Sequence, residues 1–382
     1  TGSHEALELR DGYPNYYRGK GVLKAVWNIN SKIRDLLVGN LAEQKTIDAM
    51  MCEMDGTKDK SSLGANAILA VSLAAAKAVA RERGIEFYQY IAELAGTTEK
   101  MSLPMPMMNV INGGAHAGWS TDWQEYMIIP IGAENINEAV RIGSEVFHVL
   151  AKILQERDYR ITVGDEGGYA PSVRDGNNEP LELIKEAILR AGYKPGEDVV
   201  MAMDVAATEF FNEDHYELRT NGDWKTAENM MDWYSWVVEN YPVVSIEDGL
   251  AEKDYENWQK MTEELGGRIQ LVGDDLFVTN TELLSRGIQE KIANAILIKP
   301  NQIGTLTETI AAVQLAQRNG YKTIISHRSG ETEDLSIVHL AVGLGAGQIK
   351  TGSLSRIDRV AKYNELMRMA EFNKNLRLAR PF

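Results

Sequence analysis

The sequence predicts an α/β barrel preceded by a helical module, and three observations predict it. The first is a set of short apolar runs that each end in polar residues. Residues 199–204 end in Asp204, residues 243–248 in Glu247-Asp248, and residues 269–275 in Asp274-Asp275. Ile296, Leu297 and Ile298 run straight into Lys299, and two further runs end in His327-Arg328-Ser329 and in Lys350. A continuous apolar run of this length suits a strand buried on both faces, as in a parallel sheet. The second observation is spacing. From Asp204 to Glu247, Asp274, Lys299, His327 and Lys350 the steps are 43, 27, 25, 28 and 23 residues. About 25 residues is one strand, one helix and two loops. The third is that helical patterns fill the gaps, for example over residues 282–289, 306–318 and 333–342. Polar residues confined to strand C-termini describe a barrel with its site on the C-terminal face. An open doubly wound sheet would carry a phosphate-binding glycine loop after an early strand. The one glycine cluster of that kind, residues 343–347, leads into a strand and reads as a helix exit.

The elements ahead of these units come in order. Residues 1–101 read as mostly helical, with apolar residues at helical spacing over 21–38 and 41–53. An alanine-rich helix over 63–83 is stopped by Gly84, and another over 86–95 by Gly96. No strand signal precedes Pro104. Residues 100–106 carry two prolines and mark the passage from a module at 1–101 to a barrel at 102–382. The barrel opens with a strand over 107–111, a loop, and a second strand over 125–130. A long helix over 136–155 sets Ala139, Ile142, Val146, Leu150 and Leu154 on one face. A loop over 163–171 and a helix over 180–192 complete this part. Two strands and two helices therefore precede six βα units.

Composition narrows the function. The chain has 382 residues, which suits a barrel plus an extra module. A net charge of −15 argues against a general basic surface for nucleic acid, but leaves room for a local cationic pocket. Cys52 is the single cysteine, so there is no intrachain disulfide and no cysteine-based zinc site. A reducing cytoplasm fits. No apolar run reaches membrane-spanning length.

The strand-end residues carry the chemistry. Asp204, Glu247 and Asp274 end three successive strands, and neighbouring strand ends in a barrel can share one ion. An all-oxygen carboxylate site suits a hard divalent cation, Mg²⁺ above others, with Asp248 and Asp275 left outside its ligand set. Lys299 on the next strand is then placed to act as a general base, with the metal stabilising the charge that develops beside a carboxylate. Glu166 lies in the sequence Gly-Asp-Glu-Gly-Gly, a rigid loop suited to hold a general acid over the mouth. Gln124 and Glu125 begin the second strand and can point into the same mouth, and His116 sits in a glycine-rich stretch with the look of a lid. His327, Arg328 and Ser329 together suit a clamp for carboxylate or phosphate.

At this point the chain resembles the enolase family over essentially its whole length. The resemblance is carried by HEALELRDG (4–12), GANAILAVSLA (64–74), NVINGGAHAG (109–118), VGDEGGYAP (163–171), SIEDGL (245–250), GDDLFVTN (273–280), IKPNQIGTLTET (298–309), ISHRSGETED (325–334) and QIKTGS (348–353). It implies a bacterial-type enolase with an N-terminal cap on a TIM-like ββαα(βα)₆ barrel. The implied reaction is reversible dehydration of 2-phospho-D-glycerate to phosphoenolpyruvate in glycolysis and gluconeogenesis. By the resemblance Lys299 is the base at C2, and Glu166, supported by Glu125, is the acid at the C3 hydroxyl. Asp204, Glu247 and Asp274 correspond to ligands of the first of two Mg²⁺ ions. Arg328 and Ser329 correspond to phosphate contacts, Lys350 and Gln124 to carboxylate contacts, and His116 and His327 to substrate-pocket histidines. A cytoplasmic homodimer, or an octamer built of dimers, is implied.

Two departures set further expectations. The family carries about forty more residues at the N-terminus, including strands of the cap and a loop serine that holds the second Mg²⁺, whereas this sequence opens at Thr1-Gly2. The cap is therefore expected to be mostly helical, and the chain to be a partial record of a longer one. The stretch from Trp119 to Trp123 is idiosyncratic. The alternative is a truncated, weakly active enolase with a binding role, such as a cell-surface plasminogen receptor. The retained Lys299 and Glu166 favour the enzyme, and the C-terminal Arg380-Pro381-Phe382 lacks the lysines such a receptor uses.

Overall fold

The structure, a computed structural model, describes residues 2–382 apart from the side chain of His116. The apolar runs form eight strands: β1 (Met105–Asn112), β2 (Glu125–Ile129), β3 (Val200–Asp204), β4 (Val243–Glu247), β5 (Gln270–Gly273), β6 (Ala295–Ile298), β7 (Lys322–Ser326) and β8 (Gly347–Lys350). They close into a barrel in the order β1-β8-β7-β6-β5-β4-β3-β2. Strand β6 shows why: Ala295, Ile296, Leu297 and Ile298 are all fully buried, so both faces of the strand need apolar neighbours.

Strand β2 breaks the parallel pattern and runs antiparallel to both β1 and β3. Only residues 113–124 join β1 to β2, with a single 3-10 turn at Gly114–Ala117 among them. A parallel return needs a crossover, usually a helix, and here the chain has none. The reversal shapes the mouth of the barrel. Every other strand brings its last residue there, whereas β2 brings its first. The register sets Asn112 opposite Glu125, Glu125 opposite Asp204, and Asp204 opposite Glu247.

Two helices separate β2 from β3, Ile136–Glu156 and Glu179–Arg190. The first buries Ala139, Ile142, Val146, Leu150 and Leu154 as its spacing predicts, and Asn135 caps it by accepting from the Glu138 N–H at 3.0 Å. From β3 onward each strand is followed by a helix that returns over the barrel wall. Leu306–Arg318 has the expected bounds, and Thr305 caps it by accepting from the Glu308 N–H at 3.1 Å. The glycine cluster at 343–347 is indeed the exit of helix Ser336–Gly343 into β8. A small antiparallel sheet after β3, made of Phe211–Asn212, His215–Leu218 and Asp223–Lys225, has no counterpart in the sequence pattern. Its strands are too short for alternation to stand out, although Tyr216 and Leu218 are buried.

The cap is helical, as expected. Gln44–Asp55, Ala65–Glu82 and Phe87–Ala95 are its regular helices. The pattern over 21–38 is not one helix but Leu23–Asn28 and Arg34–Leu37 joined by a π turn at Ile29–Ile33. A second, small core of Ala25, Ile33, Met51, Leu63, Ala67 and Ile68 lies here. The outer side of this region leaves Tyr17, Trp27, Val38 and Leu41 exposed. No helix of the described residues is long and apolar enough to cross a membrane.

A buried polar seam joins cap to barrel. The Gln44 amide donates to Asp48 and to both oxygens of Ser72, and Asp48 accepts the Thr307 N–H at 3.0 Å and its hydroxyl at 2.6 Å. Ser72 accepts the Leu306 N–H at 2.9 Å. The cap thus satisfies free N–H groups at the start of a barrel helix. Asp48→Ala leaves those donors buried without their acceptor, and is expected to cost about 2 kcal/mol. Urea unfolding reads this as a lower midpoint with an unchanged slope. An unchanged midpoint would show that the seam adds no stability.

Candidate active site

The mouth of the barrel holds a cavity of about 310 Å³, lined by Gln124, Glu125, Glu166, Asp204, Asp274, Lys299, His327, Arg328, Ser329 and Lys350 among others. Lys350 ends β8 and crosses the mouth. Its ammonium lies 2.9 Å from Asp204 Oδ2, 2.8 Å from Glu247 Oε2 and 3.1 Å from Glu125 Oε1. Burial alone would lower its pKa, but the carboxylates, Asp204 foremost, raise it well above the usual lysine value. Gln124 Nε2 also donates to Asp204 at 3.2 Å. Glu125 and Glu247 respond the other way. Burial pushes both carboxyls well above their usual range, with the Glu166 charge adding for Glu125 and the Asp204 charge for Glu247. Glu125 Oε2 is buried with no hydrogen-bond partner among the described residues, so a protonated Glu125 has a hydroxyl to offer.

Lys299 follows β6, as its sequence position predicts. Its ammonium is 2.5 Å from Asp274 Oδ2. The other oxygen, Oδ1, accepts from Gln302 Nε2 at 2.9 Å, Gln302 Oε1 accepts from the Thr279 hydroxyl at 2.8 Å, and Thr279 accepts the Lys299 N–H at 2.9 Å. This closed chain of bonds fixes the lysine from both ends. Burial raises the Asp274 pKa, but the Lys299 charge and hydrogen bond outweigh it and hold the carboxyl at about 2. The same pairing outweighs burial at Lys299 and raises its pKa.

The carboxylate trio is not gathered as expected. Two groups of described residues bring three possible ligand atoms within 4.8 Å of one another: Glu125, Glu166 and His327, and Asp248, Asp274 and Asp275. Asp204, Glu247 and Asp274 are not such a group, because Lys350 draws the first two together while Lys299 and Gln302 hold the third. Asp248, expected apart from the ligands, lies against Asp274. Its two oxygens accept the N–H groups of Asp274 and Asp275, each at 2.9 Å, so it shapes that turn. The donor set still fits a hard divalent cation. It is all oxygen and buried, and nine carboxylates line the cavity against four basic side chains.

Glu166 is held between β1 and the loop that follows β7. Asn109 donates to its Oε2 at 2.8 Å, Asn112 to the same oxygen at 3.2 Å, and the Ser329 hydroxyl to Oε1 at 3.1 Å. Gly167 next to it has φ +85, and a Cβ there would meet the Ser355 carbonyl at 2.7 Å, so both conformation and space require glycine. His327 is buried, and its pKa is lowered well below the usual value by that burial, against the pull of the Glu166 charge. Burial thus favours the neutral ring. Arg328 and Ser329 face the cavity but are engaged, Ser329 with Glu166 and Arg328 with Glu5. The guanidinium meets the Glu5 carboxylate at 2.8 and 3.2 Å. The side chain of His116 lies outside the described residues.

Several groups at this site escape the sequence pattern. Asn109 and Asn112 left a signal, two amides in a strand otherwise apolar. Glu5 left none, since it arrives from the cap through a strap in which the Ala6 N–H donates to the Gln302 carbonyl at 2.8 Å. Arg359, inside a helix, left none either.

The fold and site together define an α/β-barrel protein of the TIM type, capped at its N-terminus, with an acidic mouth crossed by two lysines. Family comparison agrees in both parts. Residues 1–91 match the enolase N-terminal domain and residues 100–376 the enolase C-terminal TIM barrel domain. The chain belongs to the enolase family, a family of lyases. The N-terminal match begins at residue 1 and lends no support to a missing start.

The charges at the mouth lead to two tests. Glu5→Gln removes the anion that faces Arg328, and inorganic phosphate should then bind about 5-fold more tightly by calorimetry, a gain of about 1 kcal/mol. Unchanged affinity would show that Glu5 does not compete for the guanidinium. Asp275 is raised to about 7 by burial and by the Asp274 charge. In chelated protein, between about pH 4 and 7 the folded state holds a proton there that the unfolded state has released, so stability falls as pH rises. Denaturation midpoints from pH 5 to 7 should decline less in Asp275→Asn than in the parent; equal declines would remove Asp275 as their source.

Proposed function

We propose that the protein catalyses the Mg²⁺-dependent, reversible dehydration of 2-phospho-D-glycerate to phosphoenolpyruvate, with residues 1–101 as its cap and 102–382 as its barrel. The observation that carries the reading is that Lys299, just after β6, and the buried carboxyl groups of Glu125 on β2 and Glu166 on a loop face one cavity. Such a reaction needs a base at C2 and a proton donor at C3, held apart from each other.

Lys299 takes the C2 proton. To do so it must be neutral, and burial favours that form once Asp274 is otherwise engaged, as do the nearby charges of Arg328 and Lys350. Glu166 and Glu125 supply the proton with which the C3 hydroxyl leaves as water. Burial and mutual repulsion keep Glu125 protonated, while Asn109, Asn112 and Ser329 orient Glu166. Lys350 and Gln124 meet the substrate carboxylate, Arg328 and Ser329 its phosphate, and His327 lines the same pocket; His116 is assigned a substrate contact by the family resemblance alone. Asp204, Glu247 and Asp274 would hold the cation once its charge displaces the Lys350 and Lys299 ammonium groups now paired with them; its chemistry would be to neutralise these carboxylates and stabilise the second negative charge that forms beside the substrate carboxylate.

Assay with 2-phosphoglycerate, with and without Mg²⁺, tests the reading, and no turnover with Mg²⁺ overturns it. Lys299→Ala should abolish exchange of the C2 proton with solvent, a loss of at least about 10²-fold, while substrate binding persists. Exchange at the parent rate would assign the base elsewhere.

A further inference from the structure

Arg359 is fully buried at the start of helix Ile357–Phe372, and both of its terminal nitrogens are hydrogen-bonded at the site. Nη1 donates to His327 Nδ1 and, at 2.9 Å, to the Arg328 carbonyl. Nη2 donates to the Asp165 carbonyl at 3.0 Å and the Ser329 carbonyl at 2.9 Å. Nε lies 3.1 Å from the Asp358 carboxylate, an ion pair without the alignment of a hydrogen bond. One planar group therefore binds the loop that carries Glu166 and the loop that carries Arg328 and Ser329. The site is built around it. A Cβ on Gly352 would stand 2.7 Å from Arg359 Cδ and 2.8 Å from the Glu166 carbonyl, so only glycine lets the three chain segments approach.

A guanidinium can only donate. A ring nitrogen that receives its bond must be bare, and a neutral imidazole then carries its proton on the other nitrogen. We infer that Arg359 is a positioning residue, which fixes His327 as the Nε2–H tautomer and holds the Glu166 loop in register with the Arg328–Ser329 loop. A ring nitrogen of His327 lies within 4.8 Å of carboxylate oxygens of Glu125 and Glu166. The tautomer thus decides whether Nε2 is a donor or an acceptor in a ring that lies beside the groups proposed to handle the leaving hydroxyl. Lysine cannot replace Arg359, because a point charge with three donors does not reproduce the fork. The effect on rates rests on the proposed reaction; the tautomer does not.

The test begins with ¹⁵N-histidine NMR of the intact protein at pH 7, the His327 signals being assigned by their loss in His327→Gln. Parent protein should show Nδ1 bare and Nε2 protonated. A proton on Nδ1 overturns the inference whatever the variants do. In Arg359→Lys and Arg359→Met the His327 signals should shift toward a mixture of tautomers. Dehydration should fall about 10²-fold, while exchange of the C2 proton, the step assigned to Lys299, changes less than about 3-fold. Unchanged His327 signals with an equal fall in both rates would make Arg359 an ordinary structural residue and refute the inference. If Arg359→Met does not fold, the parent spectrum and the lysine variant decide. Failure of the parent to turn over 2-phosphoglycerate would remove the proposed function and leave the NMR result standing.

Discussion

The cross-strand carboxyls at the barrel mouth depend on one ammonium group. Glu125, Asp204 and Glu247 are cross-strand neighbours by register, so the backbone itself forces three buried carboxyls together. Like charges at that spacing, out of water, cannot all ionise unless something offsets them. Lys350 reaches all three, and its position at the end of β8 is what makes the arrangement tolerable. Lys299 does the same for Asp274. The mouth is thus a set of anions held by lysines, so binding of any cation or substrate there must redistribute the same few charges.

Most of the barrel was legible because burial on both faces leaves a plain mark. Strands such as β6 are apolar throughout and stop at a charge, and the step of roughly 25 residues comes from the length of one βα unit. The same logic found Lys299, Asp204, Glu247, Asp274 and Lys350, since a charged residue that ends a buried strand has only the mouth to point into. Composition and pattern did not reveal the reversal of β2, which depends on the short connection before it. Nor did they reveal the sheet at 211–225, whose strands are too short to show a period.

What stayed hidden at the site is nonlocal. Whether three carboxylates converge depends on which cations sit between them, and that is set by strands far apart in sequence. Asp248 looked like a bystander to Glu247, yet it organises the next strand's turn through two backbone N–H groups. Arg328 was legible as an anion clamp, but its partner Glu5 lies at the opposite end of the chain. Arg359 sits in a helix where nothing local distinguishes it from a surface arginine.

The seam between β1 and β8 carries a further meaning. It pairs Met105 with Gln348, so the ring closes between the two ends of the barrel segment. Closing so long a loop is entropically costly and slow compared with forming the β1–β2 hairpin. Lys350 lies on the late side of that seam, and the carboxylates it serves lie on the early side. A barrel assembled only through β4 would press Glu125, Asp204 and Glu247 together without their counter-charge. Partly closed forms are thereby penalised, and the charge cluster that equips the mouth also makes completion of the ring an all-or-none event.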